Sequence, residues 1–189
     1  MEDQQPQWET SYRAGQNFLF YPAEEVVRFI SRFVRKRSGP QTFQNQMPLP
    51  DPPALLDLGC GIGRHVIFAH QLGFHAFGVD LSHAAIDLAR QWAQREGIPA
   101  PADCFRVGPA DRLDWPDDRF DVVISCGVLD SMCFDIARRA AAEAVRVLRT
   151  GGLFYCDLVS GDDSEHAREF AGERIVQADH ERGTVQSYF

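Results

Sequence analysis

Short continuous apolar runs alternate with stretches of helical spacing across most of the chain. Strands are predicted at Ala54–Leu58, Phe74–Val79, Cys104–Val107, Phe120–Ser125 and Gly152–Val159, and helices over 63–72, 82–96 and 135–148. Strands and helices in alternation imply an α/β fold with a mostly parallel sheet covered on both faces, a three-layer sandwich of Rossmann-like type. Phe120-Asp-Val-Val-Ile-Ser and Leu153-Phe-Tyr-Cys-Asp-Leu-Val are mostly apolar throughout, as expected of strands buried on both faces. Ligands of such sheets bind beyond the carboxyl ends of the strands, so Gly59–Gly63, Asp80, Gly108–Asp111 and Ser125–Ser131 should share one rim.

The flanks follow other patterns. Residues 1–21 are polar with interspersed aromatics, Trp8, Tyr12, Phe18, Phe20 and Tyr21, and suit a flap better than an independent fold. From Pro22, the acidic pair Glu24 and Glu25, then Val26, Val27, Ile30, Phe33 and Val34 at helical spacing, predict a helix over 22–37. Its basic end, with Arg32, Arg35, Lys36 and Arg37, reads as compensation of the helix dipole plus a solvated face. Ser38–Pro53 carries five prolines and no periodicity and reads as a loop. The organisation expected is therefore an N-terminal flap, helix and Pro-rich linker over 1–53 and a ligand-binding domain over 54–189. Near the C-terminus, Glu181-Arg-Gly reads as a turn pairing 174–178 with 184–189 in a hairpin, with 163–172 available for a helix.

Composition narrows the function classes. A formal charge of −8 repels phosphodiester backbones, and only Arg28–Arg37 clusters basic residues, so nucleic acid is not expected as a partner. Five cysteines with no C-x-x-C pair indicate neither a zinc knuckle nor a disulfide framework and suit a reducing cytosol. No window approaches the ~18 apolar residues of a membrane span, so neither a membrane nor a metal is expected, and the protein is placed in the cytoplasm. His65, His70 and His75 lack carboxylates or cysteines at ligand spacing and are read as surface or helix-packing residues. The 14 phenylalanines and 44% hydrophobic content suffice for a substantial core.

The chemistry concentrates where the first strand of the sheet ends, in Asp57-Leu-Gly-Cys-Gly-Ile-Gly. A dinucleotide fingerprint needs G-x-G-x-x-G, but Arg64 or Val66 stands in the third place in either register. An acid two residues before a G-x-G-x-G turn, Val79-Asp-Leu-Ser at a second strand end, Phe120-Asp-Val-Val-Ile-Ser, and Glu143-Ala-Val-Arg-Val-Leu-Arg-Thr-Gly-Gly follow in order. In these four motifs the chain resembles the class I S-adenosylmethionine-dependent methyltransferases of the small-molecule, UbiE-like type, over about Ala54–Phe154.

The resemblance implies S-adenosylmethionine as cofactor, S-adenosylhomocysteine as product and a small-molecule methyl acceptor. It carries cofactor binding onto Asp57, Gly59, Cys60, Gly61, Gly63, Asp80, Leu81, Pro109, Ala110, Asp111, Ser125 and Cys126. Backbone N–H groups of the glycine turn would approach the methionine portion, and Asp80 would accept the ribose hydroxyls. Asp57 would support the loop or bind the methionyl amino end; the alternative is that Asp57 and Asp80 only cap the helices after them. One departure stands at the third strand end. The family often reads Gly-Asp-Ala there, whereas this chain reads Gly108-Pro109-Ala110-Asp111, leaving the Ala110 N–H or the Asp111 carboxylate to meet adenine.

The fourth strand ends Ser125-Cys-Gly-Val-Leu-Asp-Ser-Met without the Asn/Asp-Pro-Pro-Tyr motif of enzymes that methylate nucleic-acid bases. Asp130 is the candidate catalytic residue, as a polar substrate contact or base, with a turn or N-cap role as the alternative. Trp8, Tyr12 and Tyr21 are candidates to close over acceptor and cofactor. Fewer residues follow the fifth strand than the family usually carries, so either the last sheet elements are missing or this is a shortened member; a homodimer covering the sheet edge is expected. A catalytically inactive cofactor-binding or assembly protein and, less favoured, a nicotinamide oxidoreductase remain as alternatives.

Overall fold

A computed structural model describes residues 4–161 and 172–189. Its centre is a five-stranded, wholly parallel sheet of β3 (Ala54–Leu58), β4 (His75–Asp80), β5 (Phe105–Val107), β6 (Phe120–Ser125) and β7 (Leu148–Cys156). The strand order is β5-β4-β3-β6-β7, so the chain reverses its direction of travel between β3 and β6. That reversal opens a crevice beyond the strand ends, where open α/β sheets take their ligands. The Rossmann-like architecture expected from the alternation is the one observed.

The period-two alternation of side chains assigns each central strand to two cores. Leu55, Val122 and Ile124 face one side with Val66, Ile67 and Ala69 of α3 (Arg64–Gln71) and Ile86, Ala89 and Ala93 of α4 (His83–Arg95). Ala54, Leu56, Leu58 and Val123 face the other with Ala140, Ala144 and Val147 of α6 (Phe134–Val147). Every residue of β3 and β6 is thereby buried, and each fully buried Leu or Ile contributes about 1.5–3 kcal/mol. By contrast β7 is only half-buried along most of its length, because it forms the edge of the sheet. The expectation that Leu153–Val159 runs through a fully covered interior is corrected accordingly; strand order, not local hydropathy, decides coverage.

The N-terminal segment differs most from expectation. An α-helix, α1 (Gln5–Arg13), occupies part of the stretch read as a flap. The predicted helix over 22–37 is shorter: α2 (Glu24–Phe29) passes into a π-turn over Ile30–Val34, and Arg35–Arg37 form strand β1, paired antiparallel with β2 (Phe43–Asn45) inside the predicted loop. Tertiary contacts explain the early end. Arg35 is buried, donates from Nη1 to the Gly73 carbonyl at 3.2 Å, and its guanidinium stands over the rings of Phe43 and Phe74. Arg37 donates to the Gln71 carbonyl at 2.6 Å. These arginines tie β1 to the end of α3 and are not a solvated helix face. Val26, Ile30 and Val34 are fully buried in the same core cluster as Leu55, so this segment and the sheet share one interior.

A four-residue helix, α5 (Pro101–Cys104), leads into β5. At the C-terminus β8 (Gly172–Ile175) pairs antiparallel with β9 (Val185–Tyr188), in the hairpin expected from the Glu181-Arg-Gly turn. It forms its own two-stranded sheet and does not extend the edge at β7. The helix expected over 163–172 lies almost entirely outside the described residues.

Candidate functional site

A cavity of about 550 Å³ lies over the carboxyl ends of β3 to β6, within the usual range for small-molecule sites. Its floor is the glycine turn, which contributes Gly59, Cys60, Gly61 and Ile62. The end of β4 adds Val79, Asp80 and Leu81, the end of β5 adds Gly108–Asp111, and the loop after β6 adds Cys126–Val128, Ser131 and Met132. Gln4, Trp8, Tyr12, Asn17 and Leu19 close it from the N-terminal side, while Glu181 of the C-terminal turn completes the wall.

The turn needs its glycines for different reasons. Gly61 has φ +52°, and a Cβ there would lie 2.7 Å from the Tyr12 hydroxyl, so the phenol rests directly on the turn. Gly63 has φ +89° and precedes α3, but its missing Cβ faces the core: an added methyl would stand 2.8 Å from the Phe105 ring and 3.2 Å from Ala89. Gly63 does not line the cavity, and its contribution is close packing of the turn on the sheet.

Asp80 is buried at the tip of β4, with Oδ2 accepting the Gly61 N–H at 2.8 Å and Oδ1 accepting the Ser82 N–H at 2.9 Å. Burial pushes its carboxyl up to about 6, against these two N–H donors that favour the charged form. Asp57 is buried beneath the turn, away from the cavity lining, and its Oδ2 has no hydrogen-bond partner. His65 Nδ1 stands 3.5 Å from it. Because the Ala23 N–H donates to His65 Nε2 at 3.2 Å, the imidazole proton belongs on Nδ1, facing Asp57. The pair thus links the start of α2 to the underside of the turn; His65, read from sequence as a surface or packing histidine, is buried and also lines the cavity.

At the β5 end, Pro109, Ala110 and Asp111 all line the cavity. One oxygen of Asp111 receives both Nε (3.0 Å) and Nη2 (2.7 Å) of Arg139 on α6, which draws that carboxylate toward the helix. Cys126 lines the cavity and donates its thiol to Asp157 at 3.1 Å; burial and this bond push it up to about 12, so it stays an unreactive thiol. Ser125, carried into the site by sequence, is fully buried below it.

Two expectations meet a different placement. Asp130 lies outside the cavity lining: its Oδ2 accepts the Val159 N–H at 3.2 Å, and its carbonyl accepts the Ser187 N–H at 2.6 Å and Gln186 Nε2 at 3.1 Å. It bolts the loop after β6 to the C-terminal strand, a role set by residues far away in sequence. Tyr21 is 86% exposed and also lies outside the lining, whereas Trp8 and Tyr12 are within it.

The most informative residue missed by sequence is Glu9. Its Oε2 accepts the Ser82 hydroxyl at 2.7 Å and the Ala84 N–H at 3.0 Å, so a carboxylate from α1 caps the N-terminus of α4. Burial opposes ionisation, but the bonds from Ala84, Ser82 and Arg13 outweigh it and hold the Glu9 carboxyl below its ordinary value. Gln5 Nε2 donates to the Leu81 carbonyl at 3.1 Å alongside. The only sequence signal was the helical i, i+4 spacing of Glu9 and Arg13, which pair at 2.8 Å. Glu9→Ala is expected to loosen α1 by about 0.5–2 kcal/mol, the usual effect of losing a cap. Faster tryptic cleavage after Arg13 would register it, and an unchanged cleavage rate would show that α1 is held by other contacts.

The glycine turn beside a buried acid at the next strand end is a cradle suited to an adenosyl amino acid: backbone approaches from one side and a carboxylate from the other. Comparison with known proteins agrees. A family model described as "Methyltransferase domain" matches residues 56–156. The chain is 32% identical over 100 residues to the uncharacterized methyltransferase YcgJ of Bacillus subtilis, covering 53% of this chain and 38% of that protein. It is 27% identical over 166 residues to a ubiquinone biosynthesis O-methyltransferase of Cereibacter sphaeroides, covering 88% of this chain and 61% of that protein. A solved structure described with the conversion of a disulfide bond into a thioacetal group during echinomycin biosynthesis superposes with a TM-score of 0.67, at 25% identity, over 84% of this chain and 61% of the other. The chain therefore spans between 38% and 61% of the length of these relatives. With the family model covering more than half of the sequence, the chain belongs to the methyltransferase domain family, the class I S-adenosylmethionine-dependent methyltransferases.

Proposed function

We propose that this protein binds S-adenosylmethionine across the glycine turn and Asp80 and transfers its methyl group to a small-molecule acceptor held under α1. The observation that carries the reading is the cavity itself, in which Gly59–Gly61, Asp80 and the adenine-side residues Pro109 and Ala110 share one surface with Trp8 and Tyr12. When bound, the cofactor supplies a sulfonium-activated methyl group that an acceptor nucleophile takes by in-line displacement, leaving S-adenosylhomocysteine.

The residues of the chain contribute alignment and exclusion of water. Backbone N–H groups of the turn hold the amino-acid end, Asp80 takes the ribose, and α1 with Tyr12 covers the reacting centre. Holding two reactants in line lowers a barrier by ~7–11 kcal/mol, enough to make a dedicated base optional. The Tyr12 phenol is pushed well above its ordinary value by burial and by Asp80, so it serves as a neutral donor and wall and not as a phenolate. Cys126 stays protonated, consistent with a reaction that needs no covalent enzyme intermediate.

The net charge of −8 and a cavity of about 550 Å³ favour a small molecule over nucleic acid. The O-methyltransferase named among the relatives supports the same class. An inactive cofactor binder is the second reading, favoured by Pro109 at the position where an adenine-binding aspartate often stands. Calorimetry with S-adenosylhomocysteine and NAD, followed by turnover on a panel of phenol, amine, thiol and carbon acids, is expected to give adenosyl binding, no NAD binding, and methylation within the panel. NAD binding without adenosyl binding would reject the proposal; adenosyl binding with no turnover would favour the second reading.

A further inference from the structure

Three acids line the cavity, Asp80, Asp111 and Glu181, and they differ in what holds them. Asp80 accepts two backbone N–H groups, and Asp111 is paired with Arg139 at 2.7 Å. Glu181 is held otherwise. Its N–H donates to the Ala178 carbonyl at 3.1 Å, and its own carbonyl accepts the Thr184 N–H at 3.0 Å and hydroxyl at 2.9 Å, so the turn occupies its backbone. Its carboxylate has no hydrogen bond among the described residues, and the exposed His180 ring stands 3.9 Å away. Of the two arginines in the lining, Arg139 is engaged by Asp111, and Arg64 donates to the Tyr21 carbonyl at 3.3 Å.

The turn that carries Glu181 is fixed in place. Thr184 is buried, the Gly183 N–H donates to the Val176 carbonyl at 2.9 Å, and the His180 carbonyl accepts the Ser11 hydroxyl at 2.5 Å and the Asn17 amide at 3.3 Å. The Glu181 side chain is 26% exposed, so a carboxylate largely withdrawn from water sits where the C-terminal turn meets α1. It shares the cavity wall with the apolar Trp8, Met132 and Ile136. Such a carboxylate gains most by meeting a cationic donor, and an indole face adds to the attraction.

We infer that Glu181 determines which acceptor is taken, and that the acceptor carries an ammonium group on a small apolar body. The carboxylate takes the ammonium, while Trp8, Met132 and Ile136 cover the rest. The inference rests on the proposed methyl transfer and adds the chemical class of the acceptor. The ammonium of the cofactor is the other source of a cation, and the experiment separates the two.

Wild type, Glu181→Gln and Glu181→Lys, each saturated with S-adenosylhomocysteine, are titrated calorimetrically with probes of similar size and different charge: tyramine, para-ethylphenol and para-hydroxyphenylpropionate. Wild type is expected to bind tyramine about tenfold more tightly than para-ethylphenol, the effect of a hydrogen bond between charged groups. Glu181→Gln should abolish that preference and leave para-ethylphenol unchanged, and Glu181→Lys should transfer the preference to the carboxylate probe. A wild type without preference for tyramine, undetectable binding of every probe included, would overturn the inference. Equal loss of all the probes in Glu181→Gln would also overturn it, by showing a structural role of the turn. S-adenosylhomocysteine alone should bind Glu181→Gln as it binds wild type. Weaker binding there, with 5′-methylthioadenosine unaffected, would assign Glu181 to the ammonium of the cofactor and overturn the inference. If wild type binds no S-adenosylhomocysteine, the proposed function itself fails, a result distinct from any change caused by the substitutions.

Discussion

Asp80→Asn is expected to weaken S-adenosylhomocysteine binding by about two orders of magnitude. Each hydrogen bond to a charged group is worth about 1.5–3 kcal/mol, and two ribose hydroxyls would share this carboxylate. Both oxygens already accept backbone N–H groups, from Gly61 and Ser82. The amide would keep one acceptor and set an NH2 donor against the other N–H, so the turn loses order as the ribose loses its partner. Calorimetry measures the effect, and unchanged affinity would remove Asp80 from the site. The pH dependence follows from burial, which lifts this carboxyl from 3.8 to about 6. Ligand affinity should fall as pH drops through about 6, because the hydroxyls need the ionised form. Stability should move the other way. The folded state holds this proton more tightly than the unfolded chain, so ionisation of Asp80 costs stability, and the cost is relieved as pH falls from about 6 toward 3.8. In Asp80→Asn this opposed pair of slopes should disappear together.

Gly63→Ala should be more damaging than Gly61→Ala, two positions earlier in the motif. At φ +89° an L-residue costs about 1–2 kcal/mol, and overpacking a filled core costs a further ~1–3 kcal/mol. Neither term is easily relaxed. The added carbon meets the side of a fully buried Phe105 ring and the Ala89 methyl of α4, both fixed by the sheet they cover. A downward shift of the urea midpoint with an unchanged slope is expected. Gly61→Ala offers the contrast, because its methyl meets only the far end of one side chain, the Tyr12 phenol at 2.7 Å from its hydroxyl, and no core ring or helix backbone. An equal loss of stability in both variants would contradict this division between a glycine that packs and a glycine that leaves room.

The parallel sheet, its order of elements and the acid at the end of β4 were legible because each is written locally: apolar runs of strand length, a helical period between them, and glycines where a strand must turn. The rim residues Gly59–Gly61, Asp80 and Gly108–Asp111 follow from that order alone, whereas Leu81 came with the family resemblance. Roles settled by distant partners were not legible. Gly63 reads as part of a ligand turn until Phe105, forty-two positions on, is seen beneath it. Asp130 reads as a base until Val159 and Ser187 occupy its carboxylate and carbonyl. Arg35 and Arg37 read as the end of a helix because periodicity says nothing of the Gly73 and Gln71 carbonyls that bind them. Glu9 shows the same limit: an exposed-looking acid on a polar segment caps a helix more than seventy positions away.

The way α1 is held bears on when during synthesis the site comes into being. The Ser11 hydroxyl donates to the carbonyl of His180, Asn17 donates to the same carbonyl, and Gln7 lies against Gly183. One side of these contacts leaves the ribosome before any strand of the sheet and the other side after all of them. A nascent chain extended only to Cys156 would have its whole parallel sheet, its glycine turn and the Glu9 contact of α1 with α4, but would lack Glu181 from the cavity wall. Emergence of the segment around His180 and Glu181, and not completion of the sheet, is then the event that supplies the last wall of the cavity.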